Sequence, residues 1–245
     1  MNYEVYWLSK KEWLTYGGQG ILYVGLVSFV FYRSVWVFLA LVPVGICYPL
    51  MIRNDLKRRR LEVLRGQFKD AILSLASCLN AGYSVENAFS EALKETDRIY
   101  GRESMISEEI RLMIRKTKMN RTLEEALLDF AKRSGLEDVK SFADVFLAAK
   151  VSGGELMKII ARTAEIIGEK IRIQEDILTA TASRRLEQKI MNMIPILIVV
   201  YLDVTSPGFF DVLYTTLVGR LIMTGCLVVY LGAIVLAKKM LEISV

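Results

Sequence analysis

Paired carboxylates are the first residues in this chain whose types and spacing could do chemistry. Glu108-Glu109, Glu124-Glu125 and Glu137-Asp138 each set two acids side by side, and two carboxyls with separated pKa values can divide general-acid and general-base work. Each pair falls at a helix start or on an expected exposed face, where the helix dipole and water account for it. The chain contains no histidine, which removes the commonest general base and metal ligand. Cys47, Cys78 and Cys226 have no metal or redox spacing and read as small packing residues. Met191 and Met193 have no other soft ligands nearby and read as packing residues rather than a copper site. Gly17-Gly18-Gln19-Gly20 lacks the strand, helix and lysine of a phosphate-binding loop, and G-x-x-x-x-G-K-[ST] occurs nowhere. Asp203 and Asp211 could serve a proton path if buried, but their place near the outer end of an apolar run favours an interfacial role. No catalytic residue, cofactor or metal is therefore expected.

The elements that would position such residues divide sharply by composition. Hydrophobic side chains make up 53% of the 245 residues and charged ones 24%, too apolar for an ordinary soluble domain and too charged for a chain wholly in lipid. The runs 13–32 and 35–52 carry no charge apart from Arg33 between them, and each approaches the roughly 20 residues that cross a hydrocarbon core. A second apolar pair, 190–202 and 221–237, is interrupted only by a loop carrying Asp203, Pro207, Asp211 and Arg220. Basic residues gather at Lys10-Lys11, at Arg53, Lys57, Arg58, Arg59, Arg60, Arg65 and Lys69, at Arg184, Arg185 and Lys189, and at Lys238-Lys239. Beside apolar runs these read as positive-inside anchors rather than as a nucleic-acid surface. Trp7, Trp13 and Tyr16 suit the headgroup layer, and no signal-peptide cleavage site follows the first run.

The expected fold is an all-α membrane protein, two transmembrane helical hairpins flanking a cytoplasmic helical bundle. Its divisions are a cytoplasmic N-terminal tail 1–12, a first transmembrane hairpin 13–52, a cytoplasmic domain 53–189, a second transmembrane hairpin 190–237 and a C-terminal tail 238–245. Arg33 snorkels to the far interface at the first hairpin's tip. One span bent at Pro43 and Pro49, with the N-terminus outside, is the rival topology.

Within 53–189 apolar residues recur at helical spacing. Leu61, Leu64, Phe68, Ala71, Ile72, Leu75 and Leu79 form one stripe, and Gly82 with the capping Ser84 turns the chain into a second through Val85, Ala88, Phe89, Ala92 and Leu93. Ile106, Ile110, Met113 and Ile114 mark a further helix, and Thr122 to Glu125 has capping-box spacing before Leu123, Ala126, Leu127, Phe130 and Ala131. Phe142, Ala143, Phe146 and Leu147, a turn at Gly153-Gly154, and Leu156, Ile159 and Ile160 repeat the first hairpin in outline. From Glu155 no proline occurs before Pro195, which allows a stiff helix of roughly 50 Å, with Gly168 its candidate interruption.

These residues resemble a family, the F-domain platform proteins of type II secretion and type IV pili, and most closely the short tight-adherence (Flp) pilus form. Phe68-Lys69-Asp70-Ala71-Ile72 and Leu79 through Gly82, Ser84 and Phe89 resemble the first family hairpin, and Phe142 to Gly153-Gly154-Glu155-Leu156 the second. Arg184-Arg185 to Pro195 resembles the start of the third span, and Pro207 to Gly219, with Gly232 and Lys238-Lys239, the family's ending. The resemblance implies a non-catalytic inner-membrane platform that links a cytoplasmic secretion ATPase to pilin polymerisation or secretion, alongside a related platform subunit and as a homo- or hetero-oligomer. Arg98, Arg102, Arg111 and Arg115 are the candidate docking residues for the ATPase. A small polytopic transporter and a membrane-anchored signalling adaptor are the alternatives; the scarcity of polar residues in the spans weighs against transport.

Overall fold

A computed structural model describes residues 3, 8–151 and 156–243. They form helices α1 (Lys10–Tyr32), α2 (Val35–Asn80), α3 (Val85–Tyr100), α4 (Met105–Lys118), α5 (Leu123–Ser134), α6 (Glu137–Val151), α7 (Leu156–Thr205), α8 (Asp211–Thr215) and α9 (Leu217–Ile243), with no strand among the described residues. Two compact units emerge, one from Asn54–Glu175 with Tyr3, the other from Leu8–Arg53 with the chain from Asp176 onward. The divisions fall inside α2 and α7, so each of these helices contributes to both units.

The first unit is a bundle whose core follows the apolar stripes. Phe68 packs its ring against Phe130 and Phe142 at centroid separations of 6.2 and 5.9 Å, and Phe146 joins Phe89 to the same cluster. Leu64, Leu75, Ile106, Leu127 and Ile160 are fully buried around them. One expected core residue is not there: Leu147 is 44% exposed, and Val139 takes the interior position on α6. The stripe on α6 therefore starts a turn earlier, through 139, 142, 143 and 146, and Leu147 falls at its edge.

Local signals set the helix ends. Ser84 caps α3 by accepting from the Asn87 amide at 3.4 Å, and Thr122 caps α5 by accepting from Glu125 at 3.3 Å. The carboxylate of Glu125 turns to Arg121 at 3.8 Å. Gly82 takes φ +87°, while Gly82 N–H donates to the Leu79 carbonyl and Tyr83 N–H to that of Cys78. This double bond pattern closes α2 with the left-handed residue that glycine adopts without penalty. A Cβ at Gly82 would touch nothing within 4 Å, so backbone strain alone, without the crowding expected from sequence, opposes a larger residue. Gly153 and Gly154 lie outside the described residues.

The second unit comprises α1, the first part of α2, the later part of α7, α8 and α9. α1 and α2 are separate helices, divided at Arg33, which adopts φ +43°. Pro43 and Pro49 lie within α2, and Pro195 lies within α7 without ending it. The backbones of α1 and α2 meet at Gly20 and Gly45, where a Cβ on Gly20 would lie 2.3 Å from the Gly45 carbonyl oxygen. Tyr32 and Thr224 share a hydroxyl hydrogen bond of 2.9 Å between α1 and α9. Pro207 and Gly208 (φ +92°) turn the chain after α7, and Gly219 packs so tightly on the Leu213 backbone that a Cβ would come within 2.5 Å of it. Among the described residues four helices are long and apolar enough to cross a membrane: α1, α2, the 158–205 part of α7 and the 217–237 part of α9.

Candidate coupling site

The residues with most to say about function are charged and lie inside the bundle. Asp138, in the first turn of α6, is only 2% exposed. Its Oδ2 accepts from Arg65 Nε at 2.6 Å and Nη2 at 2.5 Å, and its Oδ1 accepts from Lys170 Nζ at 2.9 Å. Arg65 belongs to α2 and Lys170 to α7, so one carboxylate holds both long helices. A second bond joins them directly, from Lys69 Nζ on α2 to the Glu175 carboxylate on α7. Beyond these ion pairs, one turn further along α2, the helices touch closely: a Cβ on Gly168 would lie 2.9 Å from Leu73 Cδ2. Gly168 thus serves as a contact point and not as a break, and α7 runs through it.

A buried carboxylate keeps its charge only when partners replace its lost water. Asp138 has such partners on both oxygens, and its position at the start of α6 adds the favourable end of a helix dipole. Beside this clamp, Tyr100 on α3 donates its hydroxyl to Asp70 on α2; burial and the neighbouring Asp70 push the phenol up to about 12.

A second buried acid organises the other side of the bundle. Glu109 on α4 is 3% exposed and takes a two-pronged bond from Arg133 on α5, at 2.6 and 2.5 Å. Asp129 receives Lys116 at 2.6 Å and Arg133 at 3.0 Å; burial pushes its carboxyl up, but these cations outweigh that and hold it below the ordinary value. Tyr3 closes this cluster. Its hydroxyl donates to Glu109 at 2.9 Å, its amide donates to the Arg133 carbonyl at 3.0 Å, and the Arg60 guanidinium lies over its ring at 5.2 Å. Burial, then Glu109, raise the pKa of the phenol, so it remains a donor.

Sequence reasoning placed Glu109 and Asp138 among solvated or helix-capping acids, and it counted Arg65 and Lys69 with the membrane anchors. The structure corrects both. The partners are tens of residues apart in sequence, so no local pattern announces the pairs; the one available signal is that Arg65 and Lys69 adjoin the core positions Leu64 and Phe68 on the same helix. The four candidate docking arginines are not equivalent. Arg98, Arg102 and Arg115 are exposed, Arg98 beside Glu95 at 3.0 Å. Arg111 is half-buried, holds Asp97 at 2.9 and 3.0 Å, and donates to the Arg102 carbonyl, so it shapes the α3–α4 connection.

In the apolar unit, Arg33 bonds Asp203 at 2.6 Å and lies 5.8 Å from the ring centroids of Phe29 and Tyr214. Asp203 is thereby tied to the α1–α2 link, near the end of α7. Asp211 starts α8.

A helical bundle cross-linked by internal ion pairs, continuous through two long helices with highly apolar segments, fits a polytopic membrane protein. The family model for type II secretion system (T2SS), protein F, matches residues 71–202. That is more than half of the chain, which therefore belongs to this family of membrane platform proteins of secretion and pilus systems, which are not enzymes. No curated protein and no solved structure matches it.

Proposed function

We propose that the chain is an inner-membrane platform of a tight-adherence pilus or type II secretion machine, and that its bundle converts the stroke of a cytoplasmic secretion ATPase into displacement of pilin at the membrane. The observation that carries this reading is the double clamp between α2 and α7. Both helices extend from the bundle into apolar segments, and Asp138 with the Lys69–Glu175 pair makes them move as one. Sequence reasoning assigned the lever to α7 alone; two helices locked side by side resist bending better than one.

In this reading the four apolar helices cross the membrane, both termini and the domain 53–189 are cytoplasmic, and the hairpins 13–52 and 190–237 anchor it. Tyr3 supports the topology. The seven residues from Tyr3 to Lys10 reach at most roughly 25 Å when extended, less than the roughly 30 Å hydrocarbon core. In this reading the short connection from Tyr3 to Lys10 favours an even number of crossings between Lys10 and Asn54 over the single bent span. The exposed Arg98, Arg102 and Arg115 are the cations that would meet an acidic surface of the ATPase, while a related platform subunit and pilin meet the apolar unit.

The test is made in cells that assemble pili or secrete through this system. Charge reversal of both clamp cations, Arg65→Glu with Lys170→Glu, should leave the protein in the membrane and able to co-purify the ATPase while pilus or cargo output is lost. Restoring the opposite charge with Asp138→Lys should recover part of that output. Normal output from the double variant would overturn the coupling role. For topology, cysteines near Arg33 and Pro207 should react with an external thiol reagent and one at Lys10 should not; external labelling at Lys10 would contradict the arrangement.

A further inference from the structure

The apolar unit carries a groove between α7 and α9 whose walls change character along its length. At one end Arg184, Glu187 and Gln188 form the mouth; further along, Met191 and Pro195 of α7 face Ala233 and Ile234 of α9. The change occurs where both helices change. On α7 the last charge before the apolar run is Lys189, and on α9 the first charge after it is Lys238. The mouth thus lies at headgroup level and the rest of the groove at acyl-chain depth.

Across the groove the Tyr230 hydroxyl donates at 2.6 Å to the Asn192 carbonyl and so ties α9 to α7, while Pro195 presents a ring without an N–H. The small Ala233 side chain keeps the floor open. Arg184 and Glu187, by contrast, are exposed and have opposite charges three residues apart on one helix. Such spacing commonly yields an ion pair, yet neither side chain makes one with any described residue, and both face the mouth. A cation and an anion left unpaired at headgroup height complement a zwitterion whose own charges are a few ångströms apart.

We propose that this groove holds one ethanolamine-headgroup phospholipid, its phosphate on Arg184, its ammonium on Glu187 and an acyl chain along Pro195 and Ala233. An anionic glycerol headgroup would be drawn by Arg184 and by the basic residues of the same boundary, Lys189 and Lys238-Lys239, but only a zwitterion also engages Glu187 inside the mouth. The choice of lipid rests on this charge pair and is independent of any role in secretion.

The test uses the full chain in nanodiscs with equal amounts of ethanolamine and glycerol phospholipids of the same acyl composition, with bound lipid read by native mass spectrometry after release in mild detergent. The wild type should retain the ethanolamine lipid about fivefold over the glycerol lipid, the ratio that one interfacial charge contact supplies. Glu187→Gln should bring that ratio to about one without lowering total lipid, Arg184→Gln should lower retention of both, and Ala233→Trp should empty the groove. Glu187→Gln changes an exposed side chain, so its outcome is decisive even if the tryptophan variant fails to fold. A wild type with no preference, a preference for the glycerol lipid, an unchanged ratio in Glu187→Gln, or a lipid-free dimer showing that a second copy fills the groove would each overturn the proposal.

Discussion

The bundle and the apolar unit are both built from helices, yet they hold themselves together by opposite means. In the bundle the aromatic rings of Phe68, Phe89, Phe130, Phe142 and Phe146 are buried against one another, and the carboxylates of Asp138 and Glu109 are buried against cations that stay partly exposed. In the apolar unit, no more than 22% of any 18-residue candidate span is buried within the chain, and residues such as Val228 and Leu221 are about two-thirds exposed. Its internal contacts include the close approaches of Gly20 to Gly45 and of Gly219 to Leu213, the hydroxyl pair Tyr32–Thr224, the Tyr230 bond to a backbone carbonyl and one ion pair, Arg33–Asp203. The surrounding medium explains the difference. Water drives apolar faces together in the bundle, whereas lipid is as apolar as the helices it surrounds and leaves association to small residues and hydrogen bonds. The bundle therefore carries its own packed core, and the apolar unit leaves most of its apolar surface for the surrounding medium.

Substitutions at each kind of position can break or sharpen this contrast. Phe130→Ala removes a side chain that is 0% exposed at the centre of the ring cluster, and should cost about 3–5 kcal/mol of bundle stability in denaturant unfolding followed by circular dichroism. A loss under 1 kcal/mol would mean that the cluster is not the core. Asp138→Asn should cost about 2–3 kcal/mol, less than a fully buried broken pair, because Arg65 and Lys170 are 28% and 49% exposed and can turn to water. Retention of the wild-type melting temperature would remove the clamp from the stability of the bundle. Gly82→Val should cost about 1–2 kcal/mol from the left-handed backbone alone, and an unchanged midpoint would contradict the turn. Val228→Ala in the apolar unit should change stability in lipid by less than about 0.5 kcal/mol. A large loss there would show that the exposed face is packed against protein in the assembled state.

Much of this was legible in the sequence, for physical reasons that also mark where legibility stops. Apolar stripes such as Leu64, Phe68, Ile72 and Leu75 follow from helical periodicity and reappear as the buried face of α2. Ser84, Thr122 and Gly82 act through bonds to residues within five positions, so their roles can be read locally. The clamp could not be read in this way. Arg65, Asp138 and Lys170 are brought together only by the tertiary fold, and each alone resembles a solvated surface charge. Tyr3 was hidden for the same reason, since its partners Glu109 and Arg133 lie more than 100 residues away. Periodicity also put Leu147 in the core, where it is not, because a residue at the edge of a stripe fits either face.

The most direct test of coupling through the paired helices is to interrupt α7 beyond the bundle and before the apolar run, which leaves α2 as the only stiff connection. A six-residue Gly-Ser insertion after Ala180 lies past Glu175, where the bundle ends, and before Ile190; an insertion at Gly168 would instead disturb its contact with Leu73. A flexible segment there dissipates displacement while leaving the Asp138 clamp and the docking face intact. The insertion variant is expected to accumulate in the membrane, to unfold its bundle at the wild-type midpoint and to co-purify the ATPase, while pilus assembly or cargo secretion falls to the level of a strain lacking the protein. Wild-type output from the same variant would contradict force transmission through α7 and leave the platform a passive dock.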